Sequence, residues 1–146
     1  MAINDSTLDT DVWTTIRTIL VAAALTTTNS STSATTAATI DGVYNDKKSL
    51  HKPQVIINPI DIAENSFKFG GKYGMSDINV TIECYAETTR FTDQLAQQVK
   101  ETIRDAMDGN TIPGIDLIAI SSDQAFVDPN QAKYQIKGLT FTFRRE

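Results

Sequence analysis

The sequence predicts an α+β fold, in which a mixed or antiparallel sheet of four to five strands is packed by two helices. Apolar residues recur at helical spacing over residues 8–25 and 89–108. Strict alternation of apolar and polar residues, typical of a strand with one buried face, covers residues 77–87. The strands come in adjacent pairs around one helix, in the order helix, strand, strand, helix, strand, strand, which favours α+β over α/β.

Length and composition indicate a single domain over residues 1–146. The net charge of −5 argues against a surface that binds duplex phosphates. One cysteine, Cys84, excludes an intramolecular disulfide and any multi-cysteine metal site. We also expect no membrane span, because the longest apolar run, Ile19–Leu25, is far shorter than the roughly 20 residues that a spanning helix needs.

The first helix is predicted from about Leu8 to Leu25, with Ser6 or Thr7 as its N-cap. Trp13 lies beside its apolar stripe, and we expect it to pack in the core rather than to anchor an interface. Residues 26–39 are almost entirely Thr, Ser, Ala and Asn, without charge or large apolar side chains, which is typical of a flexible linker. In an assembly, such a segment could instead join the edge of a neighbouring sheet.

A strand is predicted over Pro53–Ile62, although Pro59 implies an edge position, a bulge, or an end near Asn58. A short additional strand around Thr39–Tyr44 is a further option. The clearest strand is Asp77–Glu87, and its alternation places Cys84 on the apolar face. There a free cysteine behaves as a small inert hydrophobe.

The second helix is predicted over Thr89–Asp108, because its stripe ends at Gly109 before Pro113. Two strands follow, over Ile115–Ser121 and Tyr134–Arg144. In the last strand, the apolar residues before and after Gly138 fall on different parities, so a register shift at a bulge near Gly138 is expected.

No catalytic, cofactor-binding or metal-binding residue is predicted. The one histidine, His51, lies in a polar stretch that indicates a surface position. The carboxylates of Asp61 and Glu83 are explained by solvation of the surface. The chain has no nucleophile elbow, zinc-helix or calcium-loop motif, and Gly71-Lys72 is followed by Tyr73 rather than by the Ser or Thr of a phosphate loop. We therefore expect no enzyme and no cofactor.

Two groups of residues are candidate subunit or partner contacts. A hairpin that carries Phe67, Phe69 and Tyr73 among glycines could reach a neighbouring subunit, because aromatic side chains bury a large area. Arg144 and Arg145 near the end of the chain could pair with acidic groups across an interface. For the arginines, a solvated terminus is the alternative.

Three segments resemble the tail terminator and tail completion proteins of tailed viruses. They are residues 52–59 (KPQVIINP), residues 84–89 (CYAETT) continuing into the helix to Ala106, and residues 138–145 (GLTFTFRR). With the first helix, the resemblance covers most of the chain, and its motifs are patterns of packing rather than of catalysis. Residues 26–39 have no counterpart in it.

This resemblance implies a structural protein of the virion, in its tail or neck. Its members form a ring, expected to be hexameric, that caps the tail tube, ends its growth and faces the neck of the filled head. The implied partners are further copies of the chain, the tail tube protein and a neck or head–tail connector protein. Genomic DNA would pass through the lumen without specific binding, which suits the net charge of −5.

Other functions stay open at this point. A neck or head completion protein would bind on the portal side. A small-ligand-binding α+β domain would need a pocket with convergent polar groups. An enzyme that uses scattered carboxylates would lose activity, but not assembly, on substitution of Glu83 or Asp61.

Overall fold

The computed structural model confirms the α+β fold class. It describes residues 8–41, 53–65, 75–109, 115–123, 126–128 and 131–145. Within these residues the helices are α1 (Leu8–Ala22) and α2 (Thr89–Asp108). The strands are β1 (Thr26–Thr28), β2 (Thr35–Ala37), β3 (Thr39–Asp41), β4 (Gln54–Ile57), β5 (Asp61–Asn65), β6 (Met75–Ala86), β7 (Asp116–Ser122), β8 (Phe126–Asp128) and β9 (Gln131–Arg145).

The main sheet is built around the two longest strands, β6 and β9. They pair antiparallel without interruption from Ser76 opposite Arg145 to Ala86 opposite Gln135. The sheet has the order β3-β4-β6-β9-β7, while β5 also pairs with β6 and β8 also pairs with β9. Every pair in it is antiparallel except β3 with β4, so the sheet is mixed and mostly antiparallel.

Both helices pack on one face of this sheet, and the core lies between them. The alternation of β6 turns its apolar side chains to that face, as predicted, and Phe141 and Phe143 of β9 stack beside them with ring centroids 6.4 Å apart. The fully buried side chains of largest volume are Phe141, Phe143, Ile16, Leu20, Ile57, Ile78, Ile82, Leu95, Ile103 and Leu139.

The first helix, α1, presents Val12, Ile16 and Leu20 to the core, at a spacing of four residues. It ends at Ala22, before the predicted end at Leu25, because the chain turns at Ala24 with a φ of 52°. Trp13 is half-buried and packs against the core, as expected, and its indole N–H donates to the Ile57 carbonyl at 3.1 Å.

The second helix, α2, has the predicted bounds. Thr88 is its N-cap, because the threonine hydroxyl accepts a hydrogen bond from the Phe91 N–H at 3.2 Å. At the other end, the Gly109 N–H donates to the Asp105 carbonyl at 2.9 Å, which closes the last turn. The apolar stripe from Leu95 to Ile103 is buried against the sheet.

Pro59 separates two strands where the sequence predicted one. β4 ends at Ile57, and the Asn58 N–H still donates to the Thr81 carbonyl at 3.0 Å. The chain then resumes pairing with β6 as β5, starting with Asp61 opposite Asn79. The predicted strand end near Asn58 is therefore confirmed, and the remainder of the segment is a second strand.

The predicted bulge near Gly138 is wrong, since β9 keeps its register with β6 through this position. The apolar residues before and after Gly138 instead lie on opposite faces of the sheet. Ile136 packs with Ile56 and Tyr85 in a small buried cluster on the face opposite the helices. The irregularities lie elsewhere, at Ile118 of β7 and at residues 132–134 of β9, where Val127 pairs with Gln135 and the next residue, Asp128, pairs with Gln131.

The segment predicted to be a flexible linker contains secondary structure. β1 and β2 form an antiparallel hairpin, with Thr26 opposite Ala37 and Thr28 opposite Thr35. β3 then pairs parallel to β4, within the range given for a short additional strand. Whether the hairpin moves in solution stays a matter of prediction.

Two glutamines of α2 hold the free edge of the hairpin. The Gln98 amide accepts from the Thr26 N–H at 3.1 Å and donates to the Thr26 carbonyl at 2.6 Å. The Gln94 amide makes the same two contacts with Thr28, at 2.8 Å and 3.2 Å. These side chains therefore take the place of a neighbouring strand, and we call them the glutamine ladder.

We expect Gln98→Ala to lower the free energy of unfolding by about 1–3 kcal/mol, because it leaves both backbone groups of Thr26 without their partner in a partly buried position. Denaturant unfolding measures the loss, and amide exchange should accelerate at Thr26 and Thr28. Gln97→Ala is the matched control, since the Gln97 amide contacts only the Glu101 carboxylate on the exposed side of the helix. Equal effects of the two substitutions would contradict the ladder.

Candidate assembly surface

The face of the sheet opposite the helices carries polar side chains in rows that cross the central strands. In one row, the Arg144 guanidinium of β9 donates to the Asp77 carboxylate of β6, with Nε–Oδ1 at 2.9 Å and Nη2–Oδ2 at 3.4 Å. Asp116 of β7 lies opposite Arg144 on the other side. In the next row, the Thr142 hydroxyl donates to Asn79 Oδ1 at 3.0 Å. We call this surface the polar face.

Further along the polar face, Glu83 is held by two neighbours. The Tyr85 hydroxyl donates to Glu83 Oε2 at 2.7 Å, and the Asn58 side-chain amide donates to Oε1 at 3.1 Å. Each carboxylate oxygen therefore accepts one hydrogen bond within the fold, and the two bonds together fix the orientation of the Glu83 side chain.

The charge on the polar face is mostly negative. Asp77, Glu83 and Asp116 lie in its rows, and Arg144 is the arginine that pairs among them. Asp77 and Arg144 are partly exposed, at 22% and 36% of their side chains. A surface of this charge repels phosphate groups rather than binding them.

At Gly138, the strand that pairs with the outer side of β9 changes from β7 to β8. The Asp123 N–H, just after β7, donates to the Gly138 carbonyl at 2.9 Å. A Cβ atom at position 138 would lie 3.3 Å from Asp123 Oδ2, so glycine permits the close approach of Asp123, a fourth carboxylate on the polar face.

The structure places the predicted contact residues as follows. Phe67, Phe69 and Tyr73 lie outside the described residues, as does His51. Arg144 is engaged with Asp77 of its own chain, and Arg145 is partly buried at the end of β9. The predicted contacts of Arg144 and Arg145 with a partner chain stay predictions.

Cys84 is buried on the core side of β6, as its parity predicted. Burial away from water raises the pKa of its thiol to about 12, and the nearby Lys137 offsets only part of this effect. The thiol is therefore protonated at neutral pH, which is the inert form.

The described residues contain no group of three or more His, Cys, Asp or Glu side chains that could hold a metal ion. Neither α1 nor α2 is both long and apolar enough to cross a membrane. A cleft does exist between the hairpin and the start of α2, with polar and apolar walls. Its lining residues are Thr27, Asn29, Ala34, Thr36, Pro53, Ala86, Glu87 and Phe91.

Sequence reasoning missed two features, the rows of the polar face and the free edge of β7. The rows of the polar face depend on the register between β6 and β9, which pairs Asp77 with Arg144 across 67 positions of the chain. The polar residues that alternate with apolar ones over Asp77–Glu87 indicated the β6 side chain of each row, but not its partner on β9. The free edge of β7, with Ile118 46% exposed, gave no signal beyond its strand propensity.

No protein-family model matches this chain, and neither does any curated protein. Among solved structures, a chain of the virion of a native gene transfer agent particle is similar, with 19% sequence identity and a TM-score of 0.45. The match covers 73% of this chain and 78% of that one.

Native Cys84 should not react with Ellman's reagent at pH 8, because its pKa of about 12 leaves almost no thiolate and the side chain is fully buried. In denaturant, one thiol per chain should react. The same pKa makes the free energy of unfolding fall as pH rises from the unfolded value of 9.0 toward 12, since only the unfolded state loses the proton there. Rapid labelling of the native protein would contradict this burial.

Proposed function

We propose that this chain is a structural virion protein that forms a ring, hexameric by resemblance, on the end of a viral tail tube. The ring would end tube growth and join the tail to the neck of the head. Its partners are further copies of the chain, the tail tube protein and a neck or connector protein, and it acts without cofactor or catalysis.

The observation that carries the proposal is the polar face. Both helices pack on one side of the sheet, and the opposite side presents carboxylates in the rows of Asp77 and Glu83. A ring with this face turned toward its lumen would give passing DNA a mostly acidic surface, on which the Arg144 guanidinium is already paired with Asp77. The polar rows of Asp77 and Asn79 need no apolar cover when they line a water-filled channel. The apolar residues on the same face, Ile56, Tyr85 and Ile136, are already buried within the chain.

The placement of the resembling segments supports the same function. Residues 54–57, 75–86 and 131–145 form the neighbouring strands β4, β6 and β9 of one sheet. The segment 84–106 is the end of β6 and most of α2, joined by the Thr88 cap. The three resembling segments thus form one contiguous unit of strands and helix.

The decisive measurement is the mass of the purified protein by light scattering across concentration, together with electron microscopy of mixtures with tail tubes. We expect a species near six times the chain mass of 16.0 kDa, or rings on tube ends. Rings that form only on tubes would mean that assembly is templated. A chain that stays monomeric and ignores tubes would overturn the proposal, and rings that bind the portal side alone would indicate a neck completion protein.

A further inference from the structure

The main sheet has two open edges at the same level. In one row across it, Asp61 of β5 pairs with Asn79, which pairs with Thr142, which pairs with Ala119 of β7. Within the described ranges, no strand pairs with the outer side of β5 or of β7. The sheet therefore offers unpaired backbone groups on its left and right at once.

The strand directions make these two edges complementary. β5 is antiparallel to β6, β6 to β9, and β9 to β7, so β5 and β7 run in opposite directions. A second copy placed beside the first in the same orientation brings its β5 against β7 in antiparallel pairing. The shorter edge strands β3 and β8 also run in opposite directions, so the match extends along both edges.

The β7 edge is exposed along most of its length. Five of its seven positions are exposed, and Ile118 at the bulge is 46% exposed. Sheet edges in monomers are commonly protected by charged side chains, proline, β-bulges or a very short strand. β7 has seven residues, DLIAISS, and of these devices it carries only Asp116 and the bulge at Ile118. A partner strand would remove this exposed surface from water.

The charges permit the pairing in two registers. Without stagger, the rows place Ala63 of the second copy opposite Asp116, and its Asp61 opposite Ala119. A shift of two residues places Ala63 opposite Ala119 and Asn65 near Asp116. Along β5 and β7, neither register sets two carboxylates opposite each other, whereas the opposite shift would place Asp61 against Asp116. The unstaggered register also brings Asp41 of β3 into the row of Asp123, so the shift of two residues is the better match in charge.

We propose that the outer edge of β7 pairs with the outer edge of β5 of a second copy of this chain. The contact is head to tail, so repeated copies continue one sheet and close into a ring when the rotation between copies allows it. The polar face of each copy then lies on the same side of the continued sheet. This inference rests on the ring proposed above and identifies the two surfaces that would join its subunits.

Disulfide cross-linking tests the contact directly. Ala63→Cys and Ala119→Cys in the same chain should give a ladder of cross-linked species under oxidation, as should Ala63→Cys with Asp116→Cys for the unstaggered register. Chains with only one of these substitutions should cross-link after mixing with the complementary chain and not with themselves. Ala63→Cys with Val21→Cys is the control, because Val21 is 50% exposed on α1. The unaltered chain controls for buried Cys84.

The outcomes separate this contact from the ring itself. A six-fold mass without either cross-link would overturn the β5–β7 contact and leave the ring standing. A cross-linked ladder without any six-fold species would support the contact and overturn the capping ring. Self-cross-linking of Ala119→Cys alone would indicate a two-fold β7–β7 contact and overturn the head-to-tail arrangement. No oligomer and no cross-link would overturn both.

A charge at the edge provides a second test. Ile118→Lys should raise the protein concentration needed for half-assembly by about tenfold, because lysine on an edge strand opposes pairing with another chain. Val21→Lys is the matched control, since Val21 and Ile118 are similarly exposed and both are remote from the core interior. Circular dichroism and thermal unfolding confirm that each variant is folded. Equal effects of the two lysines would overturn the role of β7.

Discussion

The long antiparallel pairing between β6 and β9 is the interaction on which the rest of the molecule depends. It runs without a break from Ser76 opposite Arg145 to Ala86 opposite Gln135. Because alternate side chains of a strand lie on opposite faces, this one register decides which residues meet the helices and which form the polar face. A slip of β9 by one residue would turn Phe141 and Phe143 to the polar face and bury Thr142 and Arg144. The core and the polar face are thus two results of one constraint.

Local signals made much of the fold predictable. The bounds of α2 follow from its apolar stripe, the Thr88 cap and Gly109, all of which act within a few residues of the helix ends. The alternation in β6 predicted its buried face and the inert Cys84 for the same reason. Pro59 also acts locally, since it cannot donate to a ladder, and it ends β4 near the predicted position.

The features that escaped prediction depend on contacts between distant parts of the chain. The parity of Ile136 suggested a bulge, but its partners Ile56 and Tyr85 come from other strands and bury it on the second face. The hairpin of β1 and β2 lacks apolar periodicity, and its outer edge is hydrogen-bonded to side chains of a helix more than 60 residues away. The rows of the polar face likewise need the register of β6 with β9, which no single segment encodes.

The glutamine ladder sets a limit on its own length. Residues four apart on a helix advance by about 6.0 Å, whereas residues two apart on a strand advance by about 6.8 Å. The two spacings agree closely over one step, from Gln94 and Thr28 to Gln98 and Thr26, but would differ by about 1.6 Å over two. The next helix position carries Thr102, whose hydroxyl donates to the Gln98 carbonyl at 2.7 Å, and the strand has already turned at Ala24. Glutamines four apart on a helix can therefore satisfy the backbone groups of two residues on an adjacent strand, but not of a third. The length of β1, three residues, agrees with this limit.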